Sequence, residues 1–314
     1  MQAGRVGSPF VPPVVGSQDG VRSAGPAALN TTVSELEPAS LAAFDSVRLS
    51  DRVETKTVME PIQAATWLDS VAQDLVILEH EGRRVQEYRN YYFDDPVLRF
   101  YNEHHNKRGS RSKVRFRSYG PTGPLAFEVK HKNNKGRSVK FRALAPPDQR
   151  QLGPEQMDIV AENIGLDAST LRPVVVIGYH RILLANPDLT ERITVDLSLQ
   201  CRSAQRHVSF APAVIIEIKQ ERLDRRSPAF VAMRRVGARP RAFSKYCAGV
   251  STCVPGVRTN RFKSVLRHAP PTDLYPNLAP ERRHGRALPF SAASLSSSPS
   301  ATSQLQPVAK ANPT

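Results

Sequence analysis

Alternating apolar and charged residues mark three consecutive strands between Ser112 and Ala143. A period of two is typical of β-strands whose two faces meet different surroundings. In each strand Val and Phe point one way and charged residues the other, and Gly-, Pro- and Asn-rich turns separate the strands. The charged positions are Lys113, Arg115, Arg117, Glu128, Lys130, Lys132, Lys140 and Arg142. The pattern predicts a sheet with one apolar face and one strongly cationic face.

The same alternation predicts five further strands, with short helices between some of them. The strands cover residues 52–59, 88–93, 171–184, 191–200 and 212–220. Helices are predicted from Pro61 to Leu75, over 98–105, 154–164 and 228–235, and from Ser244 onwards. Charged residues recur on one face of almost every strand, whereas the outer face of a sandwich carries mostly small polar residues. The pattern therefore favours a closed barrel with a polar lumen and apolar faces packed outward against helices.

Net charge narrows the choice of partner. The chain of 314 residues carries a formal charge of +15 and has an isoelectric point near 10.1. Such an excess of positive charge implies an anionic partner: nucleic acid, a membrane surface or a phosphate-rich substrate. The three cysteines lack metal-ligand spacing and fit reduced thiols. No apolar run approaches the roughly 20 residues of a membrane helix, and no signal core is visible. We expect a soluble, cytoplasmic protein without a transmembrane segment.

Composition divides the chain into three parts. Residues 1–40 are rich in Gly, Pro, Ser and Val without periodicity and are expected to be a disordered leader. Residues 270–314 carry repeated Pro and Ser and are expected to be a disordered tail. The fold is expected over residues 41–269, which are enough for one sizeable core.

Nine motifs in order carry a resemblance to a known family. They are VETK, YRNYYFDDPVLRFYNEH, KVRFR, FEVKHK, SVKFR, RPVVVIGYHR, ITVDLSL, VIIEIK and FSKYCAG. Over about residues 44–268 the chain resembles the VTC domain, the polyphosphate polymerase domain of the CYTH-like triphosphate tunnel metalloenzymes. The resemblance implies an α+β fold: an eight-stranded antiparallel β-barrel, the triphosphate tunnel, with packed helices.

The resemblance also implies roles for individual residues. A divalent metal, Mn²⁺ or Mg²⁺, is expected at Glu217. The candidate partner ligands, by their positions on the predicted inner faces, are Glu54, Glu128 and Asp196, and Glu54 is taken as the further ligand. Weaker substrate contacts are expected from Arg192, from His104 after the FDDP turn and from neighbouring Arg99. The catalytic phosphate contacts are expected to be Lys56, Arg115, Arg117, Lys130, Lys140, Arg181 and Lys245.

The expected function follows from these roles. Related CYTH enzymes begin with Glu-x-Glu-x-Lys, but Arg52 replaces the first carboxylate here, which favours the polymerase branch. We expect transfer of the γ-phosphate of ATP to inorganic polyphosphate. The alternatives are a triphosphate or polyphosphate hydrolase of the same fold, a non-catalytic polyphosphate-binding protein and a nucleic-acid-binding module. Carboxylates within the basic strands, and the absence of known nucleic-acid-binding motifs, disfavour the last.

Several features leave alternatives open. Any single Lys or Arg on these strands could belong to a solvated sheet face. Glu217 could simply pair with Lys219, and Asp196 could be a structural partner of Arg181 or Arg192. Nucleotide preference and oligomeric state are not determined by the sequence.

Overall fold

The computed structural model describes residues 24–46, 53–120, 122–135 and 137–274. Residues 1–23, 47–52 and 275–314, and with them Arg52 and most of the expected leader and tail, lie outside the described residues. Helices and strands alternate irregularly along the described part. Its eight α-helices are α1 (Ala24–Glu35), α2 (Leu41–Ser46), α3 (Pro61–Asp69), α4 (Arg99–His105), α5 (Pro154–Ile164), α6 (Pro228–Arg235), α7 (Lys245–Cys253) and α8 (Lys263–His268).

Twelve strands of the described residues form one sheet. They are β1 (Glu37–Ala39), β2 (Val53–Met59), β3 (Val76–Leu78), β4 (Val85–Asp94), β5 (Arg111–Tyr119), β6 (Leu125–Lys132), β7 (Ser138–Ala145), β8 (Arg172–Ala185), β9 (Glu191–Arg202), β10 (His207–Ser209), β11 (Val214–Gln220) and β12 (Thr272–Asp273). All eight strands that the alternation predicts are present. The four additional ones are two or three residues long, too short to show a period of two.

The eight long strands form a continuous antiparallel path in the order β2-β11-β9-β8-β4-β5-β6-β7. This confirms the α+β class and the antiparallel sheet. The sheet is not closed, however, because the end strands β2 and β7 do not pair with each other. Residues 239–241 lie along β2 instead. The Arg241 amide donates to the Lys56 carbonyl at 2.7 Å, and Thr57 Oγ1 donates to the Arg239 carbonyl at 3.0 Å. The expected closed barrel is therefore an open, curled sheet.

Helices cover the outer face of this sheet, as the alternation predicts. Buried residues of α1, α3 and α6 pack against the apolar positions of β2, β9 and β11, with Trp67 fully buried at the centre. Trp67 Nε1 donates to the Ala229 carbonyl at 3.0 Å and so connects α3 to α6. Helix α5 covers β6 through Ile159 and Val160. Burial of these apolar stripes leaves the charged positions on the inner face.

Helix α7 packs against β8 and β9 on the inner face, the side that carries the charged residues. Its Gly249 lies so close to this face that an added Cβ would be 3.1–3.2 Å from side-chain atoms of Ile177, Cys201 and Val175. At the other end of α7, Ser244 caps the helix and lies beside the cationic strands. The helix therefore fills one end of the curled sheet and leaves the remaining inner face to charged groups.

Three boundaries differ from those that the sequence predicts. Residues 24–40, expected in the leader, contain α1 and β1. The buried apolar residues of this stretch, Leu29, Val33 and Leu36, are too few to show a clear stripe. Thr272–Asp273, expected in the tail, pairs with β10. Helix α3 ends at Asp69, six residues before Leu75, although the apolar side chains continue into the core.

Candidate polyanion-binding tunnel

A cavity of about 900 Å³ opens between the inner faces of β2, β5, β6 and β7 and the segment leading into α7. Five lysines of the strands line it, and they are called the strand lysines here: Lys56, Lys113, Lys130, Lys132 and Lys140. Cross-strand register places three of them side by side, because Lys113 faces Lys130 and Lys130 faces Lys140. Like charges directly opposite each other destabilise a sheet. A bound anion would remove this repulsion.

Four more cations line the cavity from outside the strand interiors: Lys107, Arg111, Arg241 and Arg261. They come from the end of α4, the first residue of β5, the segment before α7 and the turn after it. Glu54 is the single carboxylate among the described lining residues. The cavity therefore has a strong positive potential, which attracts polyanions.

Two carboxylates share one lysine at the wall formed by β2 and β11. Lys56 Nζ lies 2.8 Å from Glu54 Oε2 and 3.2 Å from Glu217 Oε2, and Lys219 Nζ lies 2.8 Å from Glu217 Oε1. Burial and the Glu217 charge oppose ionisation of Glu54, but Lys56 and Lys130 lower its pKa to about 2. Burial also opposes ionisation of Glu217, yet Lys219 and Lys56 hold its pKa well below its usual range. Both carboxylates are thus ionised at neutral pH.

A second cluster of charged side chains, after the one around Lys56, lies on β5 and β6. Arg115 Nε donates to Glu128 Oε2 at 2.7 Å and Arg115 Nη1 to Tyr92 Oη at 2.7 Å. Arg117 Nε donates to Asn90 Oδ1 at 2.9 Å. Burial opposes ionisation of Glu128, but Arg115 and Arg117 lower its pKa to about 2. These bonds fix both guanidinium groups in place.

The third cluster contains a fully buried carboxylate. Asp196 accepts two hydrogen bonds from Arg181, at 2.6 and 2.9 Å, and a short one from Lys245 Nζ. The Arg181 guanidinium also lies 5.0 Å from the ring centre of Tyr88 and 5.1 Å from that of Tyr179. Cation–π contacts of this kind stabilise a desolvated cation. Asp196 is therefore the structural partner of Arg181, and it also anchors the first residue of α7.

Burial changes the charge state of two lysines. Lys113 lies within the cavity wall, and Nζ donates to Ser244 Oγ at 2.9 Å. Burial, with repulsion from Arg115, lowers the pKa of Lys113 to about 8. Burial likewise lowers the pKa of Lys219 to about 8, although Glu217 opposes this. Both side chains remain mostly charged at pH 7 and lose their charge as the pH rises through 8 to 9.

The structure brings together most of the residues that the resemblance implies. Glu54, Lys56, His104, Lys130 and Lys140 line the cavity. The remaining predicted cations of the inner face, Arg115, Arg117, Arg181 and Lys245, lie in the two adjoining clusters beside it. Glu217 joins the cavity wall through Lys56.

Two predicted substrate contacts, Arg99 and Arg192, are not among the residues that line the cavity, and a third, His104, lines it without a charge. Arg99 pairs with Asp95 at 3.5 Å, has a side chain 52% exposed, and is not among the residues that line the cavity. Arg192, on β9, lies opposite Lys219 of β11, and its guanidinium is 6.0 Å from the ring centre of Phe44. Burial and the nearby Lys113 lower the pKa of His104 to about 3, so this residue is neutral and offers phosphate no charge.

Sequence reasoning left out several cavity residues. The period of two places Lys113 and Lys132 on the cationic face, but neither is among the phosphate contacts that the resemblance implies. Arg241 and Arg261 lie in irregular segments, where periodicity carries no signal. Only the tertiary structure brings these two to the cavity.

The FDDP turn has a structural role. Asp94 Oδ1 accepts from the Phe100 amide and Oδ2 from the Tyr101 amide, each at 2.9 Å, at the start of α4. Tyr246 of α7 also donates to Asp94 Oδ2. This carboxylate therefore joins β4, α4 and α7 and sets the position of both helices beside the cavity.

The donor set fits a hard divalent cation shared with a substrate. Mg²⁺ in phosphate-transfer sites commonly takes one or two carboxylates, with phosphate oxygens and water completing the octahedron. Glu54 and Glu217 provide two carboxylates around Lys56. Among the described residues no group of three or more His, Cys, Asp or Glu could hold a metal. The site therefore fits a metal that enters with phosphate, and it does not fit a closed cage formed by the protein alone.

The curled sheet with a cationic inner face forms a candidate tunnel for polyanions. The sequence profile of the VTC domain matches residues 51–254, which is more than half of the chain, and the chain belongs to this family. The predicted resemblance is thereby confirmed. No curated protein matches the sequence.

Two solved structures are similar to part of this chain at low sequence identity. HpAC1 from Hippeastrum, assigned as an adenylyl cyclase and described by its dominant triphosphatase activity, shares 13% identity at a TM-score of 0.46. The alignment covers 65% of this chain and 98% of HpAC1. A protein from Bacillus halodurans assigned as an adenylate cyclase shares 12% identity at a TM-score of 0.43, and the alignment covers 62% of this chain and 95% of that protein.

Within the described residues, none of the helices has the length and apolar character needed to cross a bilayer.

Proposed function

We propose that this protein is a polyphosphate polymerase, which transfers the γ-phosphate of ATP to a growing chain of inorganic polyphosphate. The observation that supports this proposal most directly is the charge of the cavity, where nine lysines and arginines face one carboxylate. A repeated linear polyanion offers enough negative charge to balance such a lining. Membership of the VTC domain family supports the same substrate class.

The reaction needs positioning and charge stabilisation more than it needs a protein nucleophile. A terminal oxygen of the polyphosphate chain attacks the γ-phosphorus, the bond from γ-phosphorus to the β,γ-bridging oxygen breaks, and nucleoside diphosphate leaves. Lys56 and Lys130 approach from opposite walls, and each lies near Glu54. They are suited to hold phosphoryl oxygens from two sides. Arg115 and Arg117, fixed by Glu128 and Asn90, offer forked donors to further phosphates.

Mn²⁺ or Mg²⁺ would be held by Glu217 and Glu54 together with substrate phosphate oxygens, and would neutralise charge that develops on the phosphoryl group. Lys56, which occupies the space between these carboxylates, would turn towards phosphate when substrate binds. Binding therefore exchanges an internal ion pair for contacts to the substrate. The three free, buried cysteines support a reducing, cytoplasmic location for this activity.

The test is incubation of the purified protein with ATP and Mn²⁺, with polyphosphate chain length read on a gel. Wild-type protein is expected to produce long chains. Glu217→Gln and Lys130→Glu are expected to reduce synthesis at least tenfold, because each removes a charge at the reacting phosphates. Lys135→Glu changes the net charge by the same amount as Lys130→Glu, but at an exposed turn. This control is expected to leave synthesis unchanged.

Other outcomes would identify the alternatives. Free phosphate without chain growth would show a hydrolase. Tight polyphosphate binding without either product would show a non-catalytic binding protein. Equal affinity for duplex DNA, without turnover of ATP, would show a nucleic-acid-binding module. Full synthesis by folded Lys130→Glu protein would contradict the assignment of the cavity.

A further inference from the structure

The lining of the cavity differs in chemistry between the strands and the other elements that contribute to it. Strands β2, β5, β6 and β7 contribute polar and charged side chains alone. The hydrocarbon side chains of the described lining come from the segment before α7 and from a 3₁₀ turn after it. They are called the apolar wall here: Pro240, Ala242, Phe243 and Phe262. A ligand of this cavity therefore meets charge on the strands and apolar surface elsewhere.

Phe262 provides an aromatic ring for this wall. It ends the 3₁₀ turn Asn260–Phe262, which follows the part of the chain that matches the VTC profile. Its ring centre lies 5.8 Å from those of Tyr101 and His105, at interplanar angles of 50° and 71°. Tyr101 Oη also donates to the Arg258 carbonyl at 2.6 Å and so holds the approach to the turn. None of the described rings lies parallel to the half-buried Phe262 ring. Stacking on its face is therefore left to a ligand.

His104 supplies a hydrogen-bond acceptor to the same cavity. Its Nδ1 lies 2.8 Å from the Phe100 carbonyl oxygen, and because a carbonyl only accepts, Nδ1 carries the proton. Burial and the nearby Lys113 keep the ring neutral, so Nε2 is an unprotonated acceptor. Fully ionised phosphate has no proton to donate and is repelled by this lone pair. A ribose hydroxyl or the amino group of a base has such a proton.

We propose that the apolar wall binds the nucleoside part of a nucleoside triphosphate, with the base stacked on Phe262 and the phosphates on the strand lysines. This inference rests on the proposed function and adds to it the residue that distinguishes a nucleotide from an inorganic phosphate chain. An inorganic chain has no apolar surface, so it gains nothing from the apolar wall. The cavity volume of about 900 Å³ lies within the roughly 300–1,000 Å³ of ligand pockets and leaves room for a nucleoside beside the phosphates.

The experiment compares two probes with three phosphates each, ATP and inorganic tripolyphosphate, by calorimetric titration without divalent metal, so that no ATP is consumed. The measured quantity is the ratio of ATP affinity to tripolyphosphate affinity. In Phe262→Ala this ratio is expected to fall by about five- to tenfold, the effect of one lost base stack. Phe262→Trp keeps an aromatic ring and is expected to retain the wild-type ratio. Leu266→Ala is the matched control, since Leu266 is a half-buried apolar residue of α8 that packs on the core and does not line the cavity.

A panel of nucleotides tests the stacking itself. Stacking on one ring accepts every base but is stronger for a larger π-surface. Wild-type protein is therefore expected to bind ATP and GTP more tightly than UTP and CTP, and this difference is expected to disappear in Phe262→Ala. Equal affinity of wild-type protein for all four nucleotides would overturn the stacked position of the base.

The outcomes separate this inference from the proposed function. If wild-type protein binds neither ATP nor tripolyphosphate, the proposed function fails. If both bind and the ratio in Phe262→Ala equals that of wild type and Leu266→Ala, the nucleoside assignment is wrong while the proposed function stands. An equal loss for both probes would also overturn it, because Phe262 would then only support the phosphate site. Phe262→Leu keeps most of the apolar volume without a ring, and the same fall in the ratio is expected of it where Phe262→Ala does not fold.

Discussion

The partners of single charged residues on the inner face distinguish those that support the fold from those whose charge is available to a ligand. Asp196 is fully buried and holds two cations, so its charge supports the fold. Lys113 lies among lysines and contacts one serine hydroxyl, so its charge is available to a ligand. Both residues are charged and both lie on the inner face. The sequence pattern cannot separate them, because it records which face a residue occupies and not which partner it meets.

Replacing Asp196 is expected to destabilise the fold. Asp196→Asn leaves Arg181 and Lys245 buried without a counter-charge, and removal of one partner from a buried pair costs about 3–5 kcal/mol. Urea unfolding of the variant measures the change in the free energy of unfolding. Asp188→Asn, at an exposed position, is expected to remain within about 0.5 kcal/mol of wild type. A loss below about 1 kcal/mol in Asp196→Asn would contradict the structural role.

The lowered pKa of Lys113 predicts that anion binding depends on pH. Because burial lowers its pKa to about 8, it is protonated at pH 7 and loses its charge above pH 8. Tripolyphosphate affinity is therefore expected to fall as pH rises from 7 to 9. Lys219 has a similarly lowered pKa and adds to the loss. Lys113→Arg keeps its charge across this range and is expected to flatten the profile in calorimetric titrations. An unchanged profile in this variant would show that Lys113 does not contribute.

At the scale of elements, periodicity is informative only where an element has two distinct faces. The eight long strands show this alternation, and the structure contains all of them. Helix α1 escapes detection because it has too few apolar positions to show a clear stripe, and the short strands β1, β3, β10 and β12 because two or three residues cannot display a period of two. Helix α7 is found by its motif, but its packing on the inner face depends on small residues such as Gly249. No hydrophobic pattern reveals that close approach.

The contact at Gly249 gives a test of this packing. A helical Gly→Ala change normally stabilises a protein by about 0.5–1 kcal/mol. In Gly249→Ala the added methyl would be 3.1–3.2 Å from Ile177, Cys201 and Val175. Overpacking of this kind is expected to destabilise by about 1–3 kcal/mol.

Thermal unfolding of this variant would show the sign of the effect. The matched control is Gly178→Ala on β8, where an added Cβ meets nothing within 4 Å. Stabilisation of Gly249→Ala, as in an ordinary solvent-exposed helix, would contradict the inner-face position of α7.

At the scale of the molecule, nine lysines and arginines line one cavity of the described residues, and this predicts ligand-dependent stability. A formal charge of +15 and repelling lysines cost free energy in the free protein. Polyphosphate at about one hundred times its Kd is expected to add about 2.7 kcal/mol to the free energy of unfolding. That corresponds to a Tm increase of roughly 5–10 °C for a fold of this size.

Differential scanning calorimetry would measure the increase, which high salt is expected to reduce. Duplex DNA at equal phosphate concentration serves as the control polyanion and is expected to give a smaller increase. An equal or larger increase with DNA would favour the nucleic-acid alternative.

The sequence by itself determined the strands, the cationic face and the family, because alternation and ordered motifs are local properties of the chain. The candidate metal carboxylates Glu54 and Glu217 and most of the proposed phosphate contacts were predicted from those motifs. Tertiary structure decided the rest. It left the sheet open between β2 and β7, kept Arg99 outside the cavity, and made Asp196 a structural residue. It also brought Arg241 and Arg261 to the cavity. The physical reason is that pairing, burial and repulsion depend on distances between residues far apart in the chain, which no local pattern encodes.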